Sequence, residues 1–95
     1  MNEYAVLYVS YPLNVYQGYG FVADKEIIAS IGLKYFDSSS TGYGKRHLEF
    51  RFDTYAEATE AGNKFHAAPL CKQYECEVSA VEYDKLSVPR QPHSP

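Results

Sequence analysis

Residues 45–65, KRHLEFRFDTYAEATEAGNKF, join two segments whose apolar residues recur with different periods. In the first segment Leu48 and Phe50 alternate with Glu49 and Arg51, and a period of two predicts a strand with one buried and one open face. We therefore expect the apolar residues to face the core. Glu49 and Arg51 are expected on the open face.

The second segment has the start signal of a helix. Thr54 and Glu57 stand in the S/T-x-x-E spacing of a capping box, in which each side chain satisfies a free backbone N–H of the other. The buried stripe of this helix is predicted to be Tyr55, Ala58, Gly62 and Phe65. Pro69 is predicted to end it.

The residues upstream supply two more strands and a helix. LKYFD, residues 33–37, predicts a strand, and SSSTGYG, residues 38–44, predicts the hairpin loop to the next strand. Asp24 is the expected N-cap of a short helix that ends at Gly32. EYAVLYVSY, residues 3–11, is rich in β-branched and aromatic residues and predicts the first strand.

Residues 73–83 predict the fourth strand, which completes the order β-α-β-β-α-β. This order is the ferredoxin-like α+β arrangement, a four-stranded antiparallel sheet with two helices on one face. At 95 residues the chain has room for one domain, expected over residues 1–84. Residues 85–95 are expected to form a polar, proline-rich tail.

Alternation also assigns residues to the two faces of the predicted sheet. Those expected beneath the helices in the first strand are Ala5, Leu7 and Val9. The last strand could bury Cys76, Val78 and Ala80 or the reverse set with Glu75, Glu77 and Val81, and we prefer the first because it buries the smaller apolar set. Those expected on the open face of the first strand are Tyr4, Val6, Tyr8 and Ser10. The face that the second strand buries stays undecided.

Tyrosine is unusually frequent, with ten residues, five of them among the first nineteen. Over residues 1–23 the only charged side chain is that of Glu3. A tyrosine combines an apolar ring with a polar tip, which suits a surface that a partner protein covers, although a β-rich protein also uses tyrosine as a strand former. The predicted partner-binding residues are Tyr8, Tyr11, Tyr16, Tyr19, Tyr43, Glu49 and Arg51.

Charge and residue spacing argue against several other functions. A net charge of −3 leaves no basic surface for phosphate, so no nucleic acid is expected. Cys71 and Cys76 match no zinc spacing, and no metal site is expected. We expect two reduced thiols, one in a loop and one in a strand, in a cytoplasmic protein without a membrane span.

Two segments resemble the signatures of the RNA-recognition motif, which has the same order of elements. LYVSYP, residues 7–12, is similar to the hexapeptide of its first strand, and QGYGFV, residues 17–22, to the octapeptide of its third. In this sequence QGYGFV follows the first strand with no helix between them, whereas the octapeptide of that family lies in the third strand. The predicted third strand carries Glu49 where that family has a base-stacking aromatic, and a carboxylate repels phosphate.

Residues 33–80 resemble the small phage enzymes that degrade S-adenosylmethionine. The likeness lies in the element order and in the transition from a strand to the alanine-rich helix AEATEAGNKF. The resemblance implies an alternative function, an S-adenosylmethionine lyase with sites between subunits, in which Tyr35 and Glu49 act in catalysis. The position of that family's own catalytic glutamate, however, would fall near Lys45 or Arg46 in this sequence, where basic residues stand instead.

The sequence therefore favours a small protein-binding module. We expect it to bind a host protein, such as a defence protein, as phage inhibitors and adaptors do, in the host cytoplasm. The open sheet face could equally pair with a second copy in a homo-oligomer. No cofactor is expected, apart from S-adenosylmethionine as a substrate in the alternative.

Overall fold

A computed structural model describes residues 3–13 and 22–84 of the chain. Its strands are β1 (Glu3–Pro12), β2 (Phe36–Gly42), β3 (Lys45–Phe52) and β4 (Glu77–Asp84). Its helices are α1 (Val22–Ile31), α2 (Tyr55–His66) and α3 (Pro69–Gln73). The strands form one antiparallel sheet in the order β2-β3-β1-β4, and the helices cover one of its faces. The predicted ferredoxin-like α+β fold is confirmed.

The core forms where the apolar sides of β1 and β3 meet the helices. Leu7 lies opposite Phe50 in the β1–β3 register, and Val9 lies opposite Leu48. All four side chains are buried, and α1 and α2 cover them with residues such as Ile27. Each such side chain stabilises the fold by roughly 1.5–3 kcal/mol. The predicted inward residues of β1 and β4 do pack in or against this core.

Helix α2 begins at the predicted capping residue, where Thr54 Oγ1 accepts a hydrogen bond of 3.1 Å from the backbone N–H of Glu57. Gly62 faces the sheet so closely that a Cβ atom there would lie 2.9 Å from Leu7 Cδ1. The prediction for Tyr55 is wrong, because its ring lies beyond the core, at the edge of the sheet beside β4, and is 44% exposed.

The boundaries predicted for the second strand are wrong. Residues 33–35 form a 3₁₀ turn, and the serines expected in the loop belong to β2, where pairing with β3 outweighs their weak strand propensity. The connection to β3 shrinks to Tyr43 and Gly44, with φ angles of 56° and 74°. Positive φ at both central residues is typical of a type I′ hairpin turn.

Two predicted helix ends are also corrected. Helix α1 begins at Val22, so Asp24 is not its N-cap but lies buried in its first turn. Helix α2 ends at His66, and Pro69 instead opens α3, where its missing N–H is no loss. The predicted tail, residues 85–95, lies outside the described residues.

The cysteines lie at the end of α3. Cys71 is buried in this helix rather than in the predicted loop. Cys76 is not in a strand as predicted, because β4 begins at Glu77 and not at residue 73. The N–H of Cys76 donates to the carbonyl oxygen of Cys71 over 2.9 Å, and that of Glu75 donates to Lys72 over 3.1 Å. With Glu75 at a φ of 58°, this pattern is a Schellman motif that ends the helix. Both thiols are free.

Candidate functional site

A stack of aromatic and cationic side chains lies on the open face of the sheet. Tyr4 and Tyr83 are directly opposite in the β1–β4 register, and their rings stack with centroids 5.3 Å apart and planes inclined by 20°. The guanidinium carbon of Arg51, from β3, lies 3.9 Å from the Tyr4 ring centroid. Three strands thus each hold one layer of the stack. Stacked rings and cation–π contacts keep such side chains in fixed orientations.

Tyr8 joins this stack through a hydrogen bond. Its hydroxyl lies 2.6 Å from that of Tyr83, and its neighbours across the sheet are Glu49 in β3 and Ser79 in β4. Burial and the hydrogen bond to Tyr83 raise the pKa of Tyr8, so the phenol remains protonated at neutral pH. We call Tyr4, Tyr8, Tyr83 and Arg51 the tyrosine platform.

Apolar side chains fill the centre of the platform. Val6 lies between Arg51 and Val81 in the sheet and is 94% buried by its neighbours, whereas Val81 is 38% exposed. A charged pair flanks the platform where Lys45 Nζ lies 3.1 Å from Glu77 Oε1. Aromatic and arginine side chains around an apolar centre, with charges at the rim, have the composition of protein interfaces.

The predicted binding residues do not form one cluster. Tyr8, Glu49 and Arg51 lie together on the open face. Tyr43 lies apart from them, at the tip of the β2–β3 hairpin, with its side chain fully exposed. The predictions for Tyr16 and Tyr19 fall on residues outside the described part of the chain.

Tyr83 was missing from the predicted binding residues, although alternation from Val81 in the same strand places it on the open face. Tyr4 was expected on this face, but nothing in the sequence indicated its stacking. The contact between Tyr4 and Tyr83 depends on a register between strands at opposite ends of the chain, which local patterns do not reveal.

Tyr11 is not a surface contact, and that prediction is corrected. It continues the inward alternation of β1 and is 1% exposed. Its hydroxyl donates a hydrogen bond of 2.5 Å to Asp24 Oδ1 in α1. Burial and the bond to Asp24 raise the pKa of Tyr11. Pro12 does not exclude this placement, because a proline is tolerated at a strand end.

Arg46 completes a polar cluster around Asp24 on the helix side of the sheet. Its Nε–H donates to Asp24 Oδ2 over 2.8 Å, and both side chains are largely buried. Its terminal nitrogens donate to Thr41 Oγ1 and Ser39 Oγ in β2 over 2.9 and 3.0 Å. The cluster ties α1 to three strands, and its partners already satisfy the charge of Asp24.

Tyr35 and Glu49, the catalytic pair of the alternative function, lie on opposite faces of the sheet within one chain. The Tyr35 ring stacks on Phe52 on the helix side, with centroids 4.2 Å apart. It lines a cleft of about 460 Å³ together with Glu57 and Glu60. Glu49 lies on the opposite face of the sheet, beside Tyr8.

The described residues contain no cluster of three or more histidine, cysteine, aspartate or glutamate side chains that could hold a metal ion. Among residues 3–13 and 22–84, no helix has the length and apolar character needed to cross a bilayer.

Comparisons with known proteins give a structural likeness and no sequence relative. No protein-family model matches this sequence, and no curated protein matches it significantly. Among solved structures, the chain is similar to a NIPSNAP family protein of unknown function from Agrobacterium tumefaciens. The identity is 9% and the TM-score 0.48, over 90% of this chain and 93% of the other.

Proposed function

We propose that this protein is a binding module that holds a partner protein against its tyrosine platform. The observation that carries the proposal is the ordered stack of Tyr83, Tyr4 and Arg51 on a sheet face that the helices leave open. Side chains already fixed in one orientation lose little entropy when a partner covers them. Tyrosine and arginine are also among the residues that contribute most to binding energy at interfaces.

The hairpin tip supports the same proposal. Tyr43 combines full exposure with a φ of 56°, a conformation that is unfavourable for a bulky side chain by about 1–2 kcal/mol. Asparagine or glycine would form this turn with less strain. Strained residues concentrate at functional positions, which favours Tyr43 as a second contact.

The finer proposal is an inhibitor or adaptor of the phage or mobile-element type that binds a host protein, such as a defence protein, in the host cytoplasm. It rests on the small size of the chain and on its tyrosine-rich, nearly uncharged first quarter. Tyr16 and Tyr19 remain predicted contacts of this surface. A homo-oligomer built through the open face would use the same residues.

The test compares two variants on opposite sides of the sheet. One introduces a lysine on the platform, and the other, a control, removes a lysine from α2. Val81→Lys places a charge in the centre of the platform, and Lys64→Ala changes an exposed residue of α2. A protein captured from a bacterial lysate by the wild type is purified and titrated against each folded variant. We expect binding to fall by about 100-fold with Val81→Lys and to stay unchanged with Lys64→Ala.

Equal binding by both variants would contradict the platform as the binding surface. Sedimentation of the isolated protein separates the competing use of the same face. If the wild type self-associates and Val81→Lys is a monomer, the open face joins copies of this chain instead.

The enzymatic alternative keeps one supporting observation. Tyr35 lines the cleft of about 460 Å³ beside two carboxylates, Glu57 and Glu60, and these could attract the sulfonium cation of S-adenosylmethionine. A melting temperature raised by S-adenosylmethionine in the wild type, but not in Tyr35→Ala, would favour this function. An unchanged melting temperature at saturating ligand would contradict it.

A further inference from the structure

The outer edge of β4 carries backbone groups that no described strand pairs. In the sheet order β2-β3-β1-β4, this strand pairs with β1 on one side and with no strand formed by residues 3–13 or 22–84 on the other. Its pairing with β1 runs without a register shift from the pair Glu3–Asp84 to the pair Ser10–Glu77. A long, regular edge exposes a row of N–H and C=O groups that can bind another extended chain.

The opposite edge of the sheet differs. Strand β2 has a register shift between Phe36 and Ser38, and an irregularity of this kind disrupts further pairing. Its side chains from Asp37 to Thr41 are all exposed. The two edges are therefore not equivalent, and β4 is the better template for an added strand.

A groove runs beside the β4 edge. It has a volume of about 310 Å³ and lies between α2 and β4, with Tyr55, Asn63 and His66 on the helix side. Gly62 and Ala80 also line it, and Gly62 lets α2 lie close to the sheet beside the groove. A free strand edge next to a helix, with a groove between them, is the geometry in which domains bind extended peptides by strand addition.

One residue that lines the groove has a buried polar atom without a partner among the described residues. Thr59 Oγ1 is buried, and the structure gives it no hydrogen bond. Thr59 lines the groove from α2.

We propose that an extended segment of a partner protein binds along β4 as a fifth strand, with alternate side chains entering the groove. The exposed carboxylate of Glu82 in this strand favours a segment that carries lysine or arginine. The inference goes beyond the proposed function, because it uses the edge and the helix side of β4 instead of the tyrosine platform.

The charges of β4 also distinguish this occupant from a second copy of the chain. If two β4 strands paired antiparallel over their full length, Glu77 of each would lie opposite Asp84 of the other. Parallel pairing in register would put every carboxylate opposite its equivalent. Like charges directly opposite each other destabilise a strand pair.

The test uses the full chain and selects binders from a random library of short displayed peptides. Two neighbouring exposed residues of α2 provide matched variants, because Asn63 lines the groove whereas Lys64 lines the cleft on the other side of the helix. Asn63→Trp and Lys64→Trp are compared in melting temperature, in affinity for each labelled peptide, and in amide hydrogen exchange.

We expect selected peptides to be rich in lysine, arginine and β-branched residues. They should slow exchange at alternate amides of β4 by about tenfold or more and leave β2 unchanged. Affinity should fall by about tenfold or more in Asn63→Trp and remain in Lys64→Trp. The proposal would be overturned if the library yielded no binder or only acidic binders. It would also be overturned if both variants lost affinity equally, or if the protection of β4 came from self-association of the protein.

Discussion

Replacing Arg46 by methionine is expected to destabilise the protein far more than the same change at its neighbour Lys45. Both residues lie in β3 and both form an ion pair. The side chains of Arg46 and Asp24 are 14% and 10% exposed, whereas those of Lys45 and Glu77 are 41% and 73% exposed. The two substitutions remove the same charge and introduce the same side chain, so the expected difference comes from burial and from the hydrogen bonds of Arg46 to Thr41 and Ser39.

The expected magnitudes follow from these environments. Arg46→Met removes the donor 2.8 Å from Asp24 Oδ2 and leaves that carboxylate with the hydroxyl of Tyr11. Breaking a buried ion pair by removing one partner destabilises by about 3–5 kcal/mol. Lys45→Met removes only an exposed pair, which contributes about 1 kcal/mol or less. For a domain of this size the difference corresponds to roughly 10–25 °C in melting temperature.

Urea unfolding followed by circular dichroism measures both free energies of unfolding. Adding Asp24→Leu to Arg46→Met should recover part of the loss, because the buried carboxylate is then absent, although Tyr11 loses its acceptor. Equal effects of the two single substitutions, or no recovery in the double variant, would refute a buried ionic link between α1 and β3.

Four further outcomes are expected. Tyr43→Asn should raise the free energy of unfolding by about 1 kcal/mol, since asparagine tolerates positive φ better, and a lower melting temperature would contradict the strained turn. Gly62→Ala should destabilise by about 1 kcal/mol or more, because its Cβ would clash with the core and outweigh the gain in helix propensity; a stabilised variant in urea would contradict the close approach. Because the pKa values of Tyr8 and Tyr11 are raised in the folded state, their contribution is present below the ordinary value of 10.0 and is lost as pH rises above it. Urea titrations below and above that pH should show a lower free energy of unfolding at the higher pH, and Tyr11→Phe should make this decrease smaller. Burial raises the pKa of the Cys76 thiol to about 12, so it should react slowly with a disulfide reagent at neutral pH unless urea is added, and rapid reaction of the folded protein would contradict its burial.

The parts of the fold that could be predicted are those with a strong local pattern. The alternation of Leu48 and Phe50 identified β3 and both of its faces, and the spacing of Thr54 and Glu57 identified the start of α2. β2 lacked such a pattern, because its serines have little strand propensity and are held by pairing and by Arg46. Its boundaries depend on tertiary contacts that the local sequence does not contain.

The candidate site was predictable to the extent that it follows strand alternation. Tyr8, Glu49 and Arg51 could be assigned to the open face in this way. Tyr11 was misplaced although the predicted strand included it, because the inward alternation of that strand was not followed as far as Tyr11, which lies in the core. The pairing of Asp24 with Arg46 could not be foreseen, since no spacing rule links a helix residue to a strand residue 22 positions later.

Three surface features of this protein are unfavourable for an isolated chain, and each could be removed by one substitution. Asparagine would relax the turn at Tyr43, and a lysine at Val81 would interrupt the apolar centre of the platform. A proline or lysine in β4 would hinder strand addition at the edge that no described strand pairs. None of these changes would disturb the buried core. Local strain, exposed apolar area and a sheet edge that no described strand pairs therefore support the proposal that partners cover these parts of the protein.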